Sequence, residues 1–344
     1  MADSSTISLS ESLPFPILLV SRAQRVIHAN AGAEALLGEG LAGRTLVTVL
    51  RQPGLIEAVE AVLADRGRQR VRLRLGSTGR EMLLMVTVAL IDDPGMMVLT
   101  FEDLTSVETA EAMRRDFVAN VSHELRTPLT ALMGFVETLR GAAKDDPVAR
   151  DRFLAIMERE AGRMNRLVGD LLSLSRVEAE ERRRPTTGVD LGAVLRGAMQ
   201  ALAPLAETRR VALIREGLTD GLKIPADPDQ LTQVFTNLIE NAIKYGGSGG
   251  EVRVSVDRID YEPVLRGSAL RVQVADRGEG IDPIHIPRLT ERFYRIDTHR
   301  SREQGGTGLG LAIVKHIVLR HRGRMKIESE KGQGSRFTII LPMT

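Results

Sequence analysis

The feature that most constrains the fold is a helical pattern that runs from residue 105 to about residue 184 with one interruption. The interruption, at residues 141–147, contains the glycine and proline that favour a turn. We therefore expect two long helices that form an antiparallel hairpin. In the second helix, apolar residues recur in alternating steps of three and four, which is typical of a helical bundle. They are Leu154, Met157, Ala161, Met164, Val168 and Leu171.

A single hairpin is half of a four-helix bundle, so a second copy of the chain is expected to supply the other half. The alternative is an ordinary hairpin that packs on a neighbouring domain of its own chain. Both interpretations require an apolar surface that one hairpin cannot cover by itself.

The sequence on either side of the hairpin predicts further domains, which makes the chain a multidomain mixture of α and β structure. Residues 1–12 predict a polar, flexible tail, and residues 13–104 predict an α+β domain of two strands, helices and three antiparallel strands. The hairpin domain takes residues 105–184. Residues 185–344 alternate helices and strands and predict an α/β domain, and the arginine-rich residues 182–188 predict a hinge before it.

Composition limits the classes of function. The formal net charge is only +2, from 47 basic and 45 acidic residues, which argues against direct nucleic-acid binding. The chain has no Cys, which removes disulfides and cysteine metal sites and fits a reducing compartment. No apolar stretch approaches the ~20 residues that span a bilayer. We expect no membrane span in this chain and a cytoplasmic location, as a whole protein or as the cytoplasmic portion of a membrane-anchored one.

His123 is predicted to face away from the apolar side of the first hairpin helix. At about 100° per residue, this histidine falls about 240° from Phe117, nearly opposite the apolar stripe. The stripe consists of Phe117, Val121, Leu125, Leu132, Phe135 and Leu139. An exposed imidazole is largely neutral near pH 7, and its free nitrogen lone pair can attack phosphorus. Taken alone, such a histidine is more often plain surface.

The neighbours of His123 have the chemistry to assist it. Glu124 can accept the other ring proton and steady the positive charge that develops on the ring. Thr127 lies one turn further on the same side and can hold a water molecule for the reverse hydrolysis. Pro128 is expected to bend the helix just beyond the nucleophile.

Residues 229–245 predict an amphipathic helix with an unusual polar face. Asn237, Asn241 and Lys244 share this face, and Tyr245 lies at its edge. A merely solvated face favours Lys, Glu and Arg, whereas two asparagines one turn apart are poor helix formers. Amide oxygens suit Mg²⁺, Lys244 can neutralise phosphate, and the ring of Tyr245 can lie beside a base. A magnesium–nucleotide site is therefore predicted on this face.

The strand predicted at residues 270–275 ends at Asp276, which Gly278 and Gly280 follow closely. A carboxylate accepts a hydrogen bond from the amino group of adenine, and guanine presents no such donor at the matching edge. The two glycines permit a turn that brings the backbone close to a base. When these residues are considered alone, a plain strand-to-loop turn with an ordinary Asp is the preferred interpretation.

A glycine loop, residues 306–310, runs directly into a predicted helix. Its residues are Gly306, Thr307, Gly308, Leu309 and Gly310. Glycine-rich backbone at a helix N-terminus presents free N–H groups and the positive end of the dipole to phosphates. The loop lacks the Gly-Lys-Ser/Thr ending of a P-loop.

The segment before the glycine loop predicts a mobile lid, because residues 296–304 are polar and have little to bury. Arg295, Arg300 and Arg302 are candidates for contact with a γ-phosphate. Phe293 is expected to anchor the base of the lid.

Together these motifs resemble those of bacterial two-component sensor histidine kinases. The matching segments are residues 122–129 (SHELRTPL), 237–245 (NLIENAIKY), 276–281 (DRGEGI), 291–295 (ERFYR) and 306–311 (GTGLGL). They occur in the order of the family and cover roughly residues 105–344. The mild variant is Arg277, where Asn or Thr often follows the Asp. Residues 13–104 resemble a PAS sensor domain, and the domain order is similar to that of phosphate-regulon sensor kinases.

The resemblance implies a role for each part of the chain. His123 would be the phosphoacceptor, Glu124 would assist phosphorylation, and Thr127 would assist dephosphorylation of a partner. The hairpin would form a dimeric four-helix bundle, and residues 185–344 would form an α/β sandwich that binds ATP. The partners implied are a second copy of the chain and the receiver domain of a response regulator.

The resemblance also assigns the nucleotide residues. Asn237 and Asn241 would serve the Mg²⁺ and phosphate region, with Asn241 preferred as the direct ligand, and Asp276 would read adenine. ATP and Mg²⁺ are the cofactors implied.

Two other functions share part of this sequence pattern. An ATP-driven conformational machine of the chaperone or topoisomerase kind would have the Asn, Asp-x-Gly and glycine motifs, but it would not need residues 123–128. A non-enzymatic dimeric sensor scaffold predicts decayed nucleotide motifs, and those of this chain are intact.

Overall fold

The computed structural model describes residues 4–65, 67–77, 80–91, 96–181, 183–217, 221–296 and 306–343. The chain divides into two compact units, Met1–Ala119 and Asn120–Thr344. The boundary between the units falls inside the first hairpin helix, and the rest of the hairpin belongs to the unit that contains the C-terminal lobe, residues 185–344. The three-domain division stays a prediction.

The N-terminal unit is built on an antiparallel sheet of five strands in the order β2-β1-β5-β4-β3. The strands are β1 Ile17–Val20, β2 Val26–Ala29, β3 Arg68–Ser77, β4 Arg80–Ile91 and β5 Met96–Asp103. Helices α2 Ala31–Leu37, α3 Leu46–Val49 and α4 Pro53–Asp65 connect β2 to β3. Buried aliphatic side chains from the sheet and these helices form one core. The predicted order of two strands, helices and three strands is confirmed.

The expected flexible tail is wrong for residues 4–12, because Ser4–Ser12 forms a helix, α1. The buried amide of Asn30 explains why this polar segment is held. Its Nδ2 donates to the carbonyls of Ser10 at 2.9 Å and Phe15 at 2.8 Å. Its Oδ1 accepts from the N–H of Ala33 and so caps α2. Composition alone does not reveal such a single buried anchor.

Two long helices form the hairpin, as the sequence predicts. They are α5 Thr105–Arg140 and α6 Pro147–Glu180. The carboxylate of Asp146 accepts from the first N–H groups of α6 and fixes where it begins. The rings of Phe135 and Phe153 stack with centroids 5.4 Å apart and tie the two helices together. Helix α5 continues through Pro128, and no described helix is long and apolar enough to cross a membrane.

The face of α6 that is buried differs from the predicted seam. Leu154, Ala161 and Val168 of that seam are exposed, whereas Leu167, Leu174 and Val177 are buried. Helix α6 also packs against a lobe helix, α9 Gly310–Arg320. Met157, Met164 and Leu171 of the seam are partly buried, so helix α6 leaves part of the predicted seam exposed in one chain.

The C-terminal lobe is a two-layer α/β sandwich. Its mixed sheet has the order β11-β12-β10-β9-β7, in which β7 runs parallel to β9 and the other pairs are antiparallel. These strands are β7 Ala212–Glu216, β9 Glu251–Glu262, β10 Gly267–Asp276, β11 Arg324–Glu330 and β12 Gly334–Pro342, and β6 Gly188–Asp190 pairs separately with β8 Lys223–Pro225. Helices α7 Leu191–Arg209, α8 Pro228–Gly246 and α9 pack on the sheet. This architecture confirms the predicted sandwich.

The start of α8 is held by a buried histidine. Asp227 caps the helix with its carboxylate, and its own N–H donates to Nε2 of His321 at 3.0 Å. Because Nε2 accepts, the ring proton lies on Nδ1, which donates to the carbonyl of Ile317 at 2.8 Å. His321 is 1% exposed, and burial lowers its pKa. The ring is therefore held neutral in the folded lobe.

Replacing this histidine should change how stability depends on pH. The unfolded chain takes up a proton at His321 below about pH 6.5, whereas the folded chain resists it. Stability should fall as the pH drops from 6.5 towards the lowered folded pKa, by up to about 1.4 kcal/mol per pH unit. His321→Gln should remove this contribution. Urea unfolding of the parent, this variant and His285→Gln at pH 7.5 and 5.5 would test it. Equal acid sensitivity in all three would contradict the prediction.

Candidate functional site

A cavity of about 680 Å³ lies in the C-terminal unit where α8, the end of β10, the glycine loop and α6 meet. It brings together motifs that are far apart in the sequence. The predicted residues that line it are Asn237, Asn241, Lys244, Tyr245, Asp276, Gly280, Arg295, Gly306, Thr307, Gly308 and Gly310. Helix α8 and strand β10 bury their apolar residues in the core of the lobe, and the polar residues on the other side of α8 and at the end of β10 line the cavity.

Asp276 is placed at one end of the cavity by backbone donors. Its Oδ1 accepts from the N–H of Gly278 at 2.9 Å and of Ser335 at 3.3 Å. Burial raises the pKa of the Asp276 carboxyl, and these two hydrogen bonds lower it. The carboxylate is thus fixed in position, and its Oδ2 takes part in neither bond. It has the geometry of a rigid acceptor for a ligand.

The close approach of Asp276 to α8 requires a glycine at position 246. A Cβ on Gly246 would lie 2.2 Å from Cβ and 2.3 Å from Cγ of Asp276. No side chain tolerates such distances, so any substitution would push the carboxylate away. Gly280 is also constrained, because it has φ +69° and a Cβ there would lie 2.0 Å from the carbonyl oxygen of Glu330.

The polar face of α8 forms a wall of the cavity. Nδ2 of Asn237 lies 3.5 Å from the carbonyl oxygen of Gly310, which places this side chain beside the glycine loop. Lys244 is paired with Glu240 one turn earlier, at 2.7 Å. A cation and two amides therefore face the cavity where α8 and the glycine loop meet, which is the donor set that phosphate and a hard cation need.

The glycine loop ends in the N-terminus of α9. Leu309, the N-cap residue, makes no side-chain cap hydrogen bond, so the first turn presents N–H groups that no cap satisfies. Gly308 has φ +74°, and its carbonyl accepts from the N–H of Phe293 at 2.9 Å. This arrangement is suited to an anion.

Three predicted nucleotide residues do not line the cavity. Gly278 acts through its N–H on Asp276, Leu309 is buried, and Phe293 holds Gly308 through its backbone. Their contribution is to the shape of the wall. Arg300 and Arg302, the other lid candidates, lie outside the described residues.

Arg295 lines the cavity, but its guanidinium already has partners in this arrangement. Nη2 donates to the carbonyl of Gly306 at 2.6 Å and to Oε2 of Glu124 at 3.3 Å. The side chain is 6% exposed. It therefore ties the glycine loop to the hairpin.

His123 is exposed on α5, as predicted. The hydroxyl of Thr127, also exposed, donates to the carbonyl of His123 at 3.1 Å. The carboxylate of Glu124 is engaged with two arginines, since its Oε2 accepts from Nη2 of Arg163 at 2.7 Å and from Nη2 of Arg295. The sequence does not indicate this role for Arg163, because an arginine in a helix of mixed charge normally lies at the surface.

Helix α6 contributes residues that the sequence did not predict. Arg166, Gly169 and Asp170 line the cavity. The carboxylate of Asp170 accepts from the hydroxyl of Thr307 at 2.6 Å. No local pattern marks these residues, because their role depends on how α6 packs against the lobe.

Among the described residues, no group of three His, Cys, Asp or Glu side chains is placed to hold a metal ion. The donors that fit Mg²⁺ at this site are the amide oxygens of Asn237 and Asn241, which line the cavity. Such a sparse set suits a cation that keeps several waters and arrives with a nucleotide.

Comparison with known families accounts for both halves of the C-terminal unit. Residues 113–180 match the His Kinase A (phospho-acceptor) domain, and residues 226–344 match the histidine kinase-, DNA gyrase B- and HSP90-like ATPase. The first match contains His123, and the second contains the α8, Asp276 and glycine-loop walls of the cavity.

Several characterised proteins are similar over most of this chain. The phosphate regulon sensor protein PhoR of Pseudomonas aeruginosa is 39% identical over 318 residues, which are 90% of this chain and 68% of PhoR. The sensor-like histidine kinase SenX3 of Mycolicibacterium smegmatis is 38% identical over 73% of this chain and 63% of its own length. The sensor histidine kinase WalK of Bacillus subtilis is 36% identical over 72% of this chain and 39% of its own length.

A solved structure supports the fold. The histidine kinase ThkA, crystallised in complex with the response regulator protein TrrA, has a TM-score of 0.52 at 22% identity and covers 100% of this chain and 99% of its own. The two domain matches and the similarity to PhoR make the chain a member of the two-component sensor histidine kinases, an ATP-dependent protein-histidine kinase that passes its phosphoryl group to a response regulator.

Proposed function

We propose that His123 is the histidine that this kinase phosphorylates and that ATP binds in the cavity between α8, Asp276 and the glycine loop. The observation that carries the proposal is the combination of an exposed His123 with one cavity that gathers four nucleotide motifs in the same compact unit. Neither feature alone is specific, since exposed histidines and polar cavities are both common.

In the proposed step, a ring nitrogen of His123 attacks the γ-phosphorus of ATP with its lone pair. The bond from phosphorus to the bridging oxygen breaks, and ADP leaves with that electron pair. The other ring nitrogen loses its proton as the phosphohistidine forms, and Glu124 assists by accepting it. Glu124 therefore has to exchange its contacts with Arg163 and Arg295 for one with the ring.

Each wall of the cavity would bind a different part of the nucleotide. Asp276 accepts from the amino group of adenine, with the ring of Tyr245 beside the base. Lys244 and the N–H groups of the glycine loop neutralise phosphate. Mg²⁺, held by Asn241 with help from Asn237, would supply charge neutralisation at the reacting phosphates.

The hairpin is proposed to pair with a second copy of the chain. Large apolar side chains on α5 and α6 stay exposed in one chain, and they include Leu129, Met133, Leu154, Val168 and Leu172. An apolar surface of this kind on two packed helices is typical of a bundle interface. The phosphohistidine would then be open to a receiver aspartate of the response regulator, and Thr127 would assist hydrolysis of the product.

Residues 13–104 are proposed to be a PAS-like sensor domain. The support is the observed order of elements, with one antiparallel sheet and helices between its second and third strands. Helix α5 begins two residues after β5 ends, so the sensor leads directly into the phosphoacceptor helix.

The alternative of an ATP-driven conformational machine shares only the ATPase match. It gives no reason for the phosphoacceptor match at residues 113–180. The stability of the phosphorylated protein distinguishes the two functions. Phosphohistidine is labile in acid and stable in base, so a histidine kinase should lose its protein-bound phosphate in acid and keep it in base.

His123→Gln should abolish incorporation of label from ATP that is radioactive at the γ-phosphate, because glutamine has no nucleophilic nitrogen. Binding of ADP should be unchanged, since His123 does not line the cavity. His28→Gln, in the N-terminal unit, serves as the control and should keep the label. Label that persists in the His123 variant would place the nucleophile elsewhere.

Thr127→Ala should spare autophosphorylation and slow dephosphorylation of the response regulator by about tenfold or more. The variant removes a hydroxyl that is exposed beside His123 and leaves the imidazole in place. Both rates would be measured on the same preparation. Equal phosphatase rates in the variant and the parent would reject this role for Thr127.

Asp276→Asn should weaken binding of ADP by roughly 10- to 100-fold, because an amide replaces the charged acceptor of the adenine amino group. The preference for ADP over GDP should fall as well. Asp257→Asn changes an exposed aspartate on β9 in the same way and should have no effect. The measurement is calorimetric titration, and an unchanged nucleotide preference would contradict the proposed role.

A further inference from the structure

Asp170 is a carboxylate at the phosphate end of the cavity that belongs to none of the nucleotide motifs. It lies on α6, and its Oδ2 accepts the hydroxyl of Thr307 at 2.6 Å. Thr307 belongs to the glycine loop, and Asn237 and Gly310 line the cavity beside it. The hairpin thus inserts an acidic group where the lobe presents its donors for phosphate.

The surroundings of Asp170 contain charges of both signs. Burial is the main cause that raises the pKa of its carboxyl, and the nearby charge of Glu240 raises it further. The hydrogen bond from Thr307 and the charges of Arg166 and Lys244 act in the opposite direction. Asp170 and Glu240 together offset the positive charges of Arg166 and Lys244, which leaves less attraction for a ligand that carries several negative charges.

Other contacts hold α6 in this position. We use the name docking face for the α6 side chains at positions 170, 173, 178 and 180. Ser173 donates to Gln233 of α8 at 2.8 Å, and Glu178 accepts from Arg292. Glu180 pairs with Arg320 of α9 at 2.7 Å. Of these four, only Asp170 lines the cavity, so docking and the charge in the phosphate end can be altered separately.

We propose that Asp170 is an autoinhibitory, specificity-determining residue whose carboxylate opposes the triphosphate of ATP while α6 is docked on the lobe. In this arrangement it takes the Thr307 hydroxyl and places a negative charge beside the phosphates. ADP, with less charge, is opposed less, and adenosine is not opposed. Docking and ATP binding then weaken each other by the same factor. This inference rests on the proposed function, because it takes the cavity to be the ATP site.

A carboxylate here has one other plausible chemistry, that of a Mg²⁺ ligand beside Asn241. The two roles have opposite consequences. Removing an inhibitory charge tightens binding of the magnesium-bound triphosphate, whereas removing a metal ligand weakens it. The sign of one measurement therefore separates them.

The test is calorimetric titration of the full chain with the non-hydrolysable analogue AMPPNP, with ADP and with adenosine, all in excess Mg²⁺. Asp170→Asn should raise the affinity for AMPPNP by about tenfold, raise that for ADP by less, and leave adenosine unchanged. Asp151→Asn makes the same change on the exposed part of α6, where the carboxylate lies near Arg150, and should change none of the three affinities. A melting curve for each variant establishes that it is folded.

A second variant tests whether the effect requires docking. Glu178→Gln weakens the docking face without changing the cavity, so it should raise the AMPPNP affinity by a smaller factor. In the D170N background it should add nothing, because the charge that docking brings into the cavity is already gone. Independent, additive effects of D170N and E178Q would overturn the proposal.

The remaining outcomes are also decisive. Equal AMPPNP affinity in the parent and in D170N would refute autoinhibition, and weaker binding by D170N would assign Asp170 to the metal. If the parent chain bound neither AMPPNP, ADP nor adenosine, the proposed function itself would fail.

Discussion

The cavity proposed to bind ATP depends on the absence of a side chain at position 246. Helix α8 ends at Gly246 with its backbone against the carboxylate of Asp276, closer than any Cβ allows. This approach joins the polar face of α8 to the end of β10, which are separate segments of the sequence. The two backbone hydrogen bonds to Asp276 then hold the acceptor rigidly. Without that contact the lobe would keep its core but lose one end of the cavity.

Much of this arrangement could be predicted because it is encoded locally. The spacing of apolar residues predicted the hairpin and the exposure of His123, and the motif residues Asn237 and Asp276 were predicted to share a site. The residues that sequence reasoning missed act over long distances in the chain. From the sequence alone, Gly246 is typical of an ordinary helix C-terminus, and Asp170 is expected on the surface of a helix. Their roles follow only from which elements pack together.

Helix α6 shows why a periodic pattern gives an incomplete prediction. Its alternating spacing marked a seam that includes Leu154 and Val168, and both are exposed in the single chain. The buried face holds Leu167 and Leu174 together with Arg163, which a hydrophobic pattern does not include. A helix with two partners needs two faces, and periodicity identifies the more regular one. The second face is polar at its rim, as is typical of contacts between domains of one chain.

Arg320 connects the end of α6 to the C-terminal lobe. Its guanidinium joins three places, since it donates to the carbonyl of Arg183 in the hinge, pairs with Glu180 at the end of α6, and pairs with the cap residue Asp227. The side chain is only 10% exposed, so a guanidinium that lost these partners would need water or new partners in their place. Any separation of α6 from the lobe therefore has to replace all three contacts of one side chain, which couples the end of the hairpin to the start of α8.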